Sequence, residues 1–254
     1  MNVCGGAHPS FSNRPMSLNP SEQRRYHAEA DPHVRGRWLS DVVLGAQDGI
    51  VNTLGVVLGV SSATPDTRIV LATGMAAAVA ESVSMAAVAF TSSTARGDMY
   101  RAERAREYRH IERTPDVERE EIRALFVEKG FSGELLERAV ETICANRDTW
   151  VAMMMAEEHQ LASIDRPASL RSAAIVGGAS LVASVALVLP FLLPHPRLAT
   201  IGAFAVGIVL LLALGVLKGK LTTGAPGRSA VTLAAIGLIS ALAGYVIGTL
   251  LGPS

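Results

Sequence analysis

The sequence predicts an all-α integral membrane protein with five transmembrane helices, interrupted between the second and third by one charged helical domain in the cytosol. Charged residues crowd into 14–37 and 95–171, whereas residues 172–254 hold only a handful. Several charge-free stretches approach the roughly 20 residues with which an α-helix crosses about 30 Å of hydrocarbon. A soluble domain does not segregate its charges along the chain in this way.

The N-terminal residues 1–36 have no apolar core and are rich in Ser, Asn, Pro and Arg. This composition predicts a disordered cytosolic tail rather than a cleaved signal peptide. The two cysteines, Cys4 and Cys144, form neither a CxxC pair nor a disulfide framework, so no oxidised scaffold is implied.

The first two spans are predicted at 42–63 and 69–93, within a transmembrane unit 37–94. The first is apolar or small except for Gln47, Asp48 and Asn52, and the second except for Glu81. Each span therefore holds one acid well inside it. A lone intramembrane acid is costly and normally marks a transport pathway or a binding site.

A domain of four helices is predicted over 95–168. Its first helix, 95–112, continues span two, and Thr114 and Pro115 then break the chain as N-cap and first residue of a second helix that ends before Gly130. Ser132 caps a third helix, which runs to about residue 145. Asn146 or Asp148 starts a fourth, predicted over 149–161.

The last three spans are predicted at 173–193, 198–217 and 229–251, within a transmembrane unit 169–254. They carry no charge and contain the Gly, Ala and Ser residues typical of closely packed helices in lipid. Basic residues flank the N-terminus and fill 95–171 and 218–228, whereas the loops 61–68 and 194–197 hold one Arg each. The N-terminus and the charged domain are therefore predicted to be cytosolic.

Three side chains inside the first two spans are candidate transport ligands. At 1.5 Å per residue, Asp48 lies about 9 Å from the cytosolic face, Met85 about 12 Å and Glu81 about 18 Å. Two carboxylates with a thioether nearby can take a divalent cation from water and exchange protons with it. The alternatives are that Met85 faces lipid or packs in the core, and that Asp48 only forms a hydrogen bond between helices.

The charged domain holds a second set of candidate ligands. Glu103, Glu107 and His110 recur at helical spacing on one face, and Glu118 and Glu121 follow on the next helix. The fourth helix adds Met153, Met154, Met155, Glu157, Glu158 and His159. Carboxylate, imidazole and thioether together suit a first-row divalent ion better than Mg²⁺ or Ca²⁺. The alternative is a solvated charged face over a methionine-rich core.

Other chemistries find no support in the sequence, and an enzyme is not expected. No Gly-rich loop follows a strand, and GxSxG, HExxH and CxxC motifs are absent. The Arg-rich stretch 95–128 has matching acids and few aromatic residues, which argues against nucleic-acid binding.

Two runs of the sequence, DVVLGAQDGIVNTLGVVLG at 41–59 and AESVSMAAVAFTS at 80–92, resemble the first two spans of the vacuolar iron transporter family. EREEIRALFVEKGFSGELLERAVETI, followed by NRDTWVAMMMAEEHQL, is similar to the cytosolic domain of that family. The similarity covers about 37–251. It resembles the prokaryotic members in placing Glu81 one turn before Met85.

The resemblance implies a homodimer that moves Fe²⁺, with some tolerance for Mn²⁺ and other divalent ions, out of the cytosol in exchange for protons. It implies a transport site on Asp48 and Met85, to which Glu81 is added. It implies metal binding in the cytosolic domain by Glu107, Glu118, Glu121, Met154, Met155 and Glu158, with Glu103 as a further candidate. His110 stands where relatives usually have Glu, so binding is expected to weaken below about pH 6.5, when imidazole takes up a proton.

These observations together predict an antiporter in the inner (plasma) membrane of a prokaryote, with its N-terminus in the cytoplasm. The charged domain is expected to capture the ion and pass it to Asp48 and Met85. The alternative from another class is a membrane-anchored metal sensor or buffer that binds divalent ions without moving them.

Overall fold

The computed structural model of the protein describes residues 35–157, 165–221 and 224–252, and within these ranges it contains helices and no strand. Nearly all of the predicted tail, 1–36, lies outside the described residues. The α-helices are α1 Arg35–Ala63, α2 Thr67–Arg113, α3 Pro115–Glu128, α4 Gly133–Cys144, α5 Arg147–Glu157, α6 Arg166–Val188, α7 Pro196–Leu221 and α8 Pro226–Leu251.

Five helices of the described chain are long and apolar enough to cross a membrane: α1, α2, α6 with its short continuation, α7 and α8. Their outer faces are apolar, with Val182 on α6 72% exposed and Ile239 on α8 68% exposed. Large apolar side chains on the outside of a helix bundle are stable against lipid but not against water. The prediction of an all-α integral membrane protein with five transmembrane helices is confirmed.

Span two and the first charged helix form one continuous helix, as predicted. Helix α2 has 47 residues, which makes it about 70 Å long at 1.5 Å per residue. Asp66 caps its start by accepting a hydrogen bond from the backbone N–H of Arg68 at 2.8 Å. The helix therefore extends well beyond the thickness of a bilayer and carries its charged half away from the membrane.

The third span differs from the prediction at both ends. Helix α6 begins at Arg166, seven residues before the predicted start at 173, and its α-helical part ends at Val188. Residues Leu189–Leu192 continue as a 3₁₀ helix that contains Pro190. Proline has no backbone N–H to donate and crowds the preceding turn, so the α-helix tightens and stops there.

Helix α1 contributes to the core of the membrane part, because it packs against α6, α7 and α8. Its Ile50, Leu54 and Leu58 form one buried cluster with residues of those three helices, namely Ala183, Leu187, Leu211, Leu233 and Ala241. In addition, α2 packs along α6, and α7 packs along α8. The acid-bearing faces of α1 and α2 are positioned by these contacts.

Glycines let α1 approach α6 to backbone contact. A Cβ added at Gly45 would stand 2.1 Å from the carbonyl oxygen of Val176, and one at Gly49 would stand 2.5 Å from that of Ser180. The hydroxyl of Ser184 donates a hydrogen bond to the carbonyl oxygen of Gly49 at 3.0 Å. Small residues with hydroxyl groups at such crossings hold membrane helices together.

We expect Gly45→Ala to destabilise the protein by about 1–3 kcal/mol, because the backbone of α6 must move to admit the methyl group. Gly178→Ala is the matched control, since nothing lies within 4 Å of the added Cβ there. Thermal unfolding in detergent should show a lower Tm for the first variant and an unchanged or slightly higher Tm for the second. Equal Tm values for the two variants would contradict this close packing of α1 on α6.

The charged domain consists of α3, α4, α5 and the C-terminal part of α2. Its core contains Ile111, Ile122, Val140, Trp150 and Met154. On its surface, Arg123 forms an ion pair with Glu137, and this hydrogen-bonded guanidinium holds the pKa of the Glu137 carboxyl group below its usual range. Burial raises the pKa of the Cys144 thiol, so the thiol is protonated at neutral pH.

The helix starts in this domain follow the predicted positions but not always the predicted contacts. Thr114 lies at the N-cap of α3 with Pro115 next to it, yet its hydroxyl donates to the carbonyl oxygen of His110 at 3.2 Å instead of capping α3. Ser132 precedes α4 without a side-chain cap. Asn146 accepts a hydrogen bond from the backbone N–H of Thr149 at 3.0 Å, so of the two predicted starts it is Asn146 that caps α5.

Candidate metal sites

The two intramembrane acids meet between α1 and α2. The Glu81 carboxyl group lies within hydrogen-bonding reach of Asp48 and of Asn52. The amide of Asn52 donates a hydrogen bond to Oδ2 of Asp48 at 3.3 Å. Two carboxyl groups and one amide thus converge in a region that the sequence predicts to lie within the hydrocarbon. Their oxygen atoms are ligands for a divalent cation, whose charge relieves the repulsion between the two acids.

Met85 lies one helical turn after Glu81, where it is half-buried and packs against Ala89, Ala173 and Val176. Its thioether belongs to the same face of α2 as Glu81, as the i, i+4 spacing predicts. Met85 therefore contacts the core, and its role as a soft ligand remains a prediction.

Asn52 was not among the candidate ligands predicted from the sequence, although it is the third polar exception in span one. Its spacing of four residues from Asp48 is the signal that identifies it, because side chains at i and i+4 on a helix lie one above the other. Both Asn52 and Glu81 line a groove of about 1090 Å³ whose other walls come mainly from α1 and α8. Glu81 of the acid pair thus borders an open groove of the single chain, together with Asn52.

A second cluster lies where α2 passes into α3. Glu107, His110 and Glu118 each offer one ligand atom, and these atoms lie within 4.8 Å of one another. Nδ1 of His110 is 3.2 Å from Oε1 of Glu118. A first-row divalent ion holds such ligands at about 2.0–2.2 Å, so atoms bound to one ion lie at most about 4.4 Å apart. Small side-chain movements bring the three atoms within that limit.

The break at Thr114 and Pro115 assembles this cluster from residues eleven apart in sequence. Glu107 and His110 lie on the last turns of α2, and the reversal of the chain brings Glu118, on the first turn of α3, back beside them. Glu107 and Glu118 are almost fully buried, with 2% and 3% of each residue exposed. Buried carboxylates are normally paired or bound to a cation, which makes this cluster the stronger candidate for metal binding in the charged domain.

An aromatic clamp holds α5 against α2 beside the cluster. The guanidinium groups of Arg104 and Arg147 lie 5.4 Å and 5.2 Å from the ring centre of Tyr108. The Tyr108 hydroxyl donates to Asp148, and Arg147 donates to the backbone carbonyl of Tyr108 at 2.8 Å. Because Tyr108 lies between Glu107 and His110 in sequence, these contacts restrain the helix turn that carries both ligands.

Among the described acids that were predicted as ligands, Glu103 and Glu121 do not belong to this cluster. Glu103 pairs with Arg106 at 3.4 Å, and Glu121 is exposed on α3. Met154 and Met155 are buried in the core of the domain with Ile122 and its neighbours, which is the packing role that the sequence left open as the alternative. Glu158 lies outside the described residues. For all of these, metal binding stays a prediction.

Comparison of the sequence with known proteins identifies its relatives. The sequence profile of the VIT family matches residues 39–249 of the chain. Vacuolar iron transporter 1 of Arabidopsis thaliana is 26% identical over 234 residues, covering 91% of this chain and 94% of the relative. Vacuolar iron transporter 2 of Oryza sativa subsp. japonica is 28% identical, with 83% and 86% covered. The vacuolar iron transporter of Toxoplasma gondii is 28% identical, with 89% and 78% covered.

Proposed function

The chain belongs to the VIT family, and from this premise we propose that it exports Fe²⁺, with some tolerance for Mn²⁺, from the cytosol in exchange for protons. Its relatives are named as iron transporters, which supports metal-ion transport by this chain and a transporter rather than an enzyme. The observation that carries the proposal is the contact of Asp48, Asn52 and Glu81 between two membrane-spanning helices.

The chemistry of this contact suits a transport site. A pair of acids inside hydrocarbon is tolerable when a divalent cation or protons balance the negative charge. The divalent cation and the protons then compete for the same carboxylate oxygen atoms, and this competition is required for the exchange of metal for protons. Met85, one turn away, offers a soft sulfur atom that favours a first-row metal over Mg²⁺ or Ca²⁺.

The distribution of basic residues supports the proposed direction. Lys218 and Lys220 end α7, and Arg228 begins α8. The start of α1 and the charged half of α2 are also rich in arginine. These ends belong on the cytosolic side by the positive-inside rule. The charged domain, 95–168, is then cytosolic and captures the ion before it reaches Asp48, and the protein lies in the inner (plasma) membrane with its N-terminus in the cytoplasm.

The groove beside the acid pair supports a homodimer. Asn52 is exposed on the single chain, and Glu81 is only half-buried in the groove wall. An acid and an amide directed towards lipid are costly. A second copy of the chain that covers the groove removes Glu81 and Asn52 from lipid and encloses the pathway between two copies of α1.

The direct test is uptake of divalent ions by liposomes that contain the purified protein. The proposal expects Fe²⁺ and Mn²⁺ to enter the liposomes faster than through protein-free membranes, and Mg²⁺ and Ca²⁺ to enter poorly. A panel of these ions under identical conditions ranks them. Binding of metal to the protein without flux into the liposomes would instead favour the membrane-anchored sensor or buffer, for which the Glu107, His110 and Glu118 cluster is the supporting observation.

Metal binding by the charged domain is tested in the full-length chain that carries Asp48→Asn. This substitution removes metal binding at the transport site, so that the remaining binding belongs to the charged domain. Titration with Mn²⁺ in a calorimeter should show one binding event that Glu107→Gln and Glu118→Gln each weaken by about tenfold or more. The double variant should lose less than the sum of the two effects, because both remove ligands from one centre.

The control for this titration is Glu134→Gln, which changes an exposed acid in the first turn of α4. It should leave the Mn²⁺ affinity unchanged. Strictly additive losses in the double variant, or an equal loss in Glu134→Gln, would point to scattered surface binding and contradict the shared site.

A further inference from the structure

A polar pocket lies between the end of α7 and the start of α8, beside Gln47 of α1. Its volume is about 400 Å³, and its lining includes Lys218, Arg228, Gln47, Ser229, Thr232 and Ile236. Among the described residues that line it there is no Asp or Glu. The pocket therefore presents two cationic groups, two hydroxyl groups and one amide.

Close packing of α7 against α8 builds this pocket. A Cβ added at Gly219 would stand 2.4 Å from Cα of Pro226, and one at Gly215 would stand 2.4 Å from Cα of Ala230. Lys218 precedes Gly219, and Arg228 lies between Pro226 and Ala230 in sequence. The two cations are thus carried by helix ends in backbone contact and not by a loose surface loop.

The pocket changes from polar to apolar along α8. Arg228 and Ser229 lie in the first turn of that helix, whereas Ile236 lies eight residues further on, about 12 Å deeper at 1.5 Å per residue. Thr232 is between them, and its own hydroxyl already donates to the carbonyl oxygen of Arg228 at 2.9 Å. A ligand that fills the pocket therefore needs an anionic end at the membrane surface and an apolar end in the hydrocarbon.

We propose that this pocket binds an anionic phospholipid, with the headgroup phosphate held by Lys218 and Arg228 and an acyl chain lying along Ile236. Basic pockets between transmembrane helices at the membrane surface recognise such headgroups, and lysine and arginine bind phosphate by charge-assisted hydrogen bonds. Gln47, which also lines the pocket, brings α1 into contact with the bound lipid. Because successive helix residues point about 100° apart, the neighbouring Asp48 does not share this pocket, and the inference is independent of the transported ion.

The test measures thermal unfolding of the full-length protein in a zwitterionic detergent with added short-chain lipid. Dioctanoyl phosphatidylglycerol should raise the Tm of the wild type in a saturable manner, whereas dioctanoyl phosphatidylcholine should not. Lys218→Gln and Arg228→Gln should each weaken the apparent affinity for the anionic lipid about fivefold. Gel filtration and the Tm without lipid establish that each variant is folded.

Lys220→Gln is the matched control, because Lys220 is exposed near the same end of α7 but does not line the pocket. It should respond to phosphatidylglycerol as the wild type does. Glycerol 3-phosphate tests whether free phosphate suffices, and a shift equal to that of the lipid would overturn the lipid assignment. An undiminished response of both pocket variants, or an equal response to phosphatidylcholine, would overturn the site itself. None of these readouts depends on transport.

Discussion

Replacing Asp48 by Asn is expected to abolish metal flux into liposomes while the protein stays folded. Asparagine keeps the size of the side chain and the partner for Asn52, whose amide contacts Oδ2 of Asp48 at 3.3 Å, but removes the negative charge. Loss of a partner in the second shell of a metal site costs about 10–100-fold in affinity or activity, so loss of a ligand is expected to cost on the order of a hundredfold or more. The measurement is the initial rate of Fe²⁺ or Mn²⁺ uptake.

Asp41→Asn provides the matched control, because Asp41 lies two turns earlier on α1, before the predicted start of the span at 42. It should transport at nearly the wild-type rate. Gel filtration and Tm show whether the Asp48 variant is intact. Near-normal flux in a folded Asp48→Asn protein would falsify the assignment of the transport site.

A pH gradient, acidic on the side that receives the metal, is expected to accelerate transport severalfold in the wild type. When the cation leaves Asp48 and Glu81, two negative charges stay behind in a low-dielectric region unless protons replace it. A protonophore should abolish the acceleration. Glu81→Gln should remove most of the gradient dependence but reduce the metal affinity less, because Asp48 and Met85 remain to hold the ion.

The control for this variant is Asp98→Asn, also on α2 but in the exposed part of the helix, where it pairs with Arg101. Its flux should respond to the gradient as the wild type does. Indifference of the wild-type flux to the gradient would mean a passive divalent channel or a binding protein, and the exchange of metal for protons would have to be abandoned.

The membrane architecture was predictable from the sequence because it follows from composition over windows of about 20 residues. Three segments, 173–193, 198–217 and 229–251, hold no charge. Because a charge in hydrocarbon is costly, uncharged apolar segments of this length are the ones that span a membrane. The continuity of α2 through Ser93 into the charged segment was also predictable, since no proline interrupts it before Pro115. The change of α6 into a 3₁₀ helix around Pro190 also has a local cause, the proline. The predicted span 173–193 missed this change because it was defined only by the absence of charge.

The candidate sites were predictable only in part. Helix periodicity placed Glu81 and Met85 on one face of α2, and the rise per residue placed Asp48 at a comparable depth. The spacing along α2 likewise paired Glu107 with His110. Residue spacing could not predict which side chains a neighbouring helix covers. It therefore did not predict that Asn52 lies beside the acid pair, that Glu121 is exposed or that Met154 is buried.

The sequence by itself determined the five spans, the inserted charged domain and the two intramembrane acids, since these depend on local composition and on the fixed geometry of a helix. The tertiary structure decided that Asp48 and Glu81 touch, that Glu118 folds back beside His110, and that Lys218 and Arg228 share one pocket. Those contacts depend on how each helix is rotated about its axis and on the distance between neighbouring helices. Close approaches such as Gly45 on Val176 and Gly219 on Pro226 fix both, and a pattern read along one helix contains no information about its neighbour.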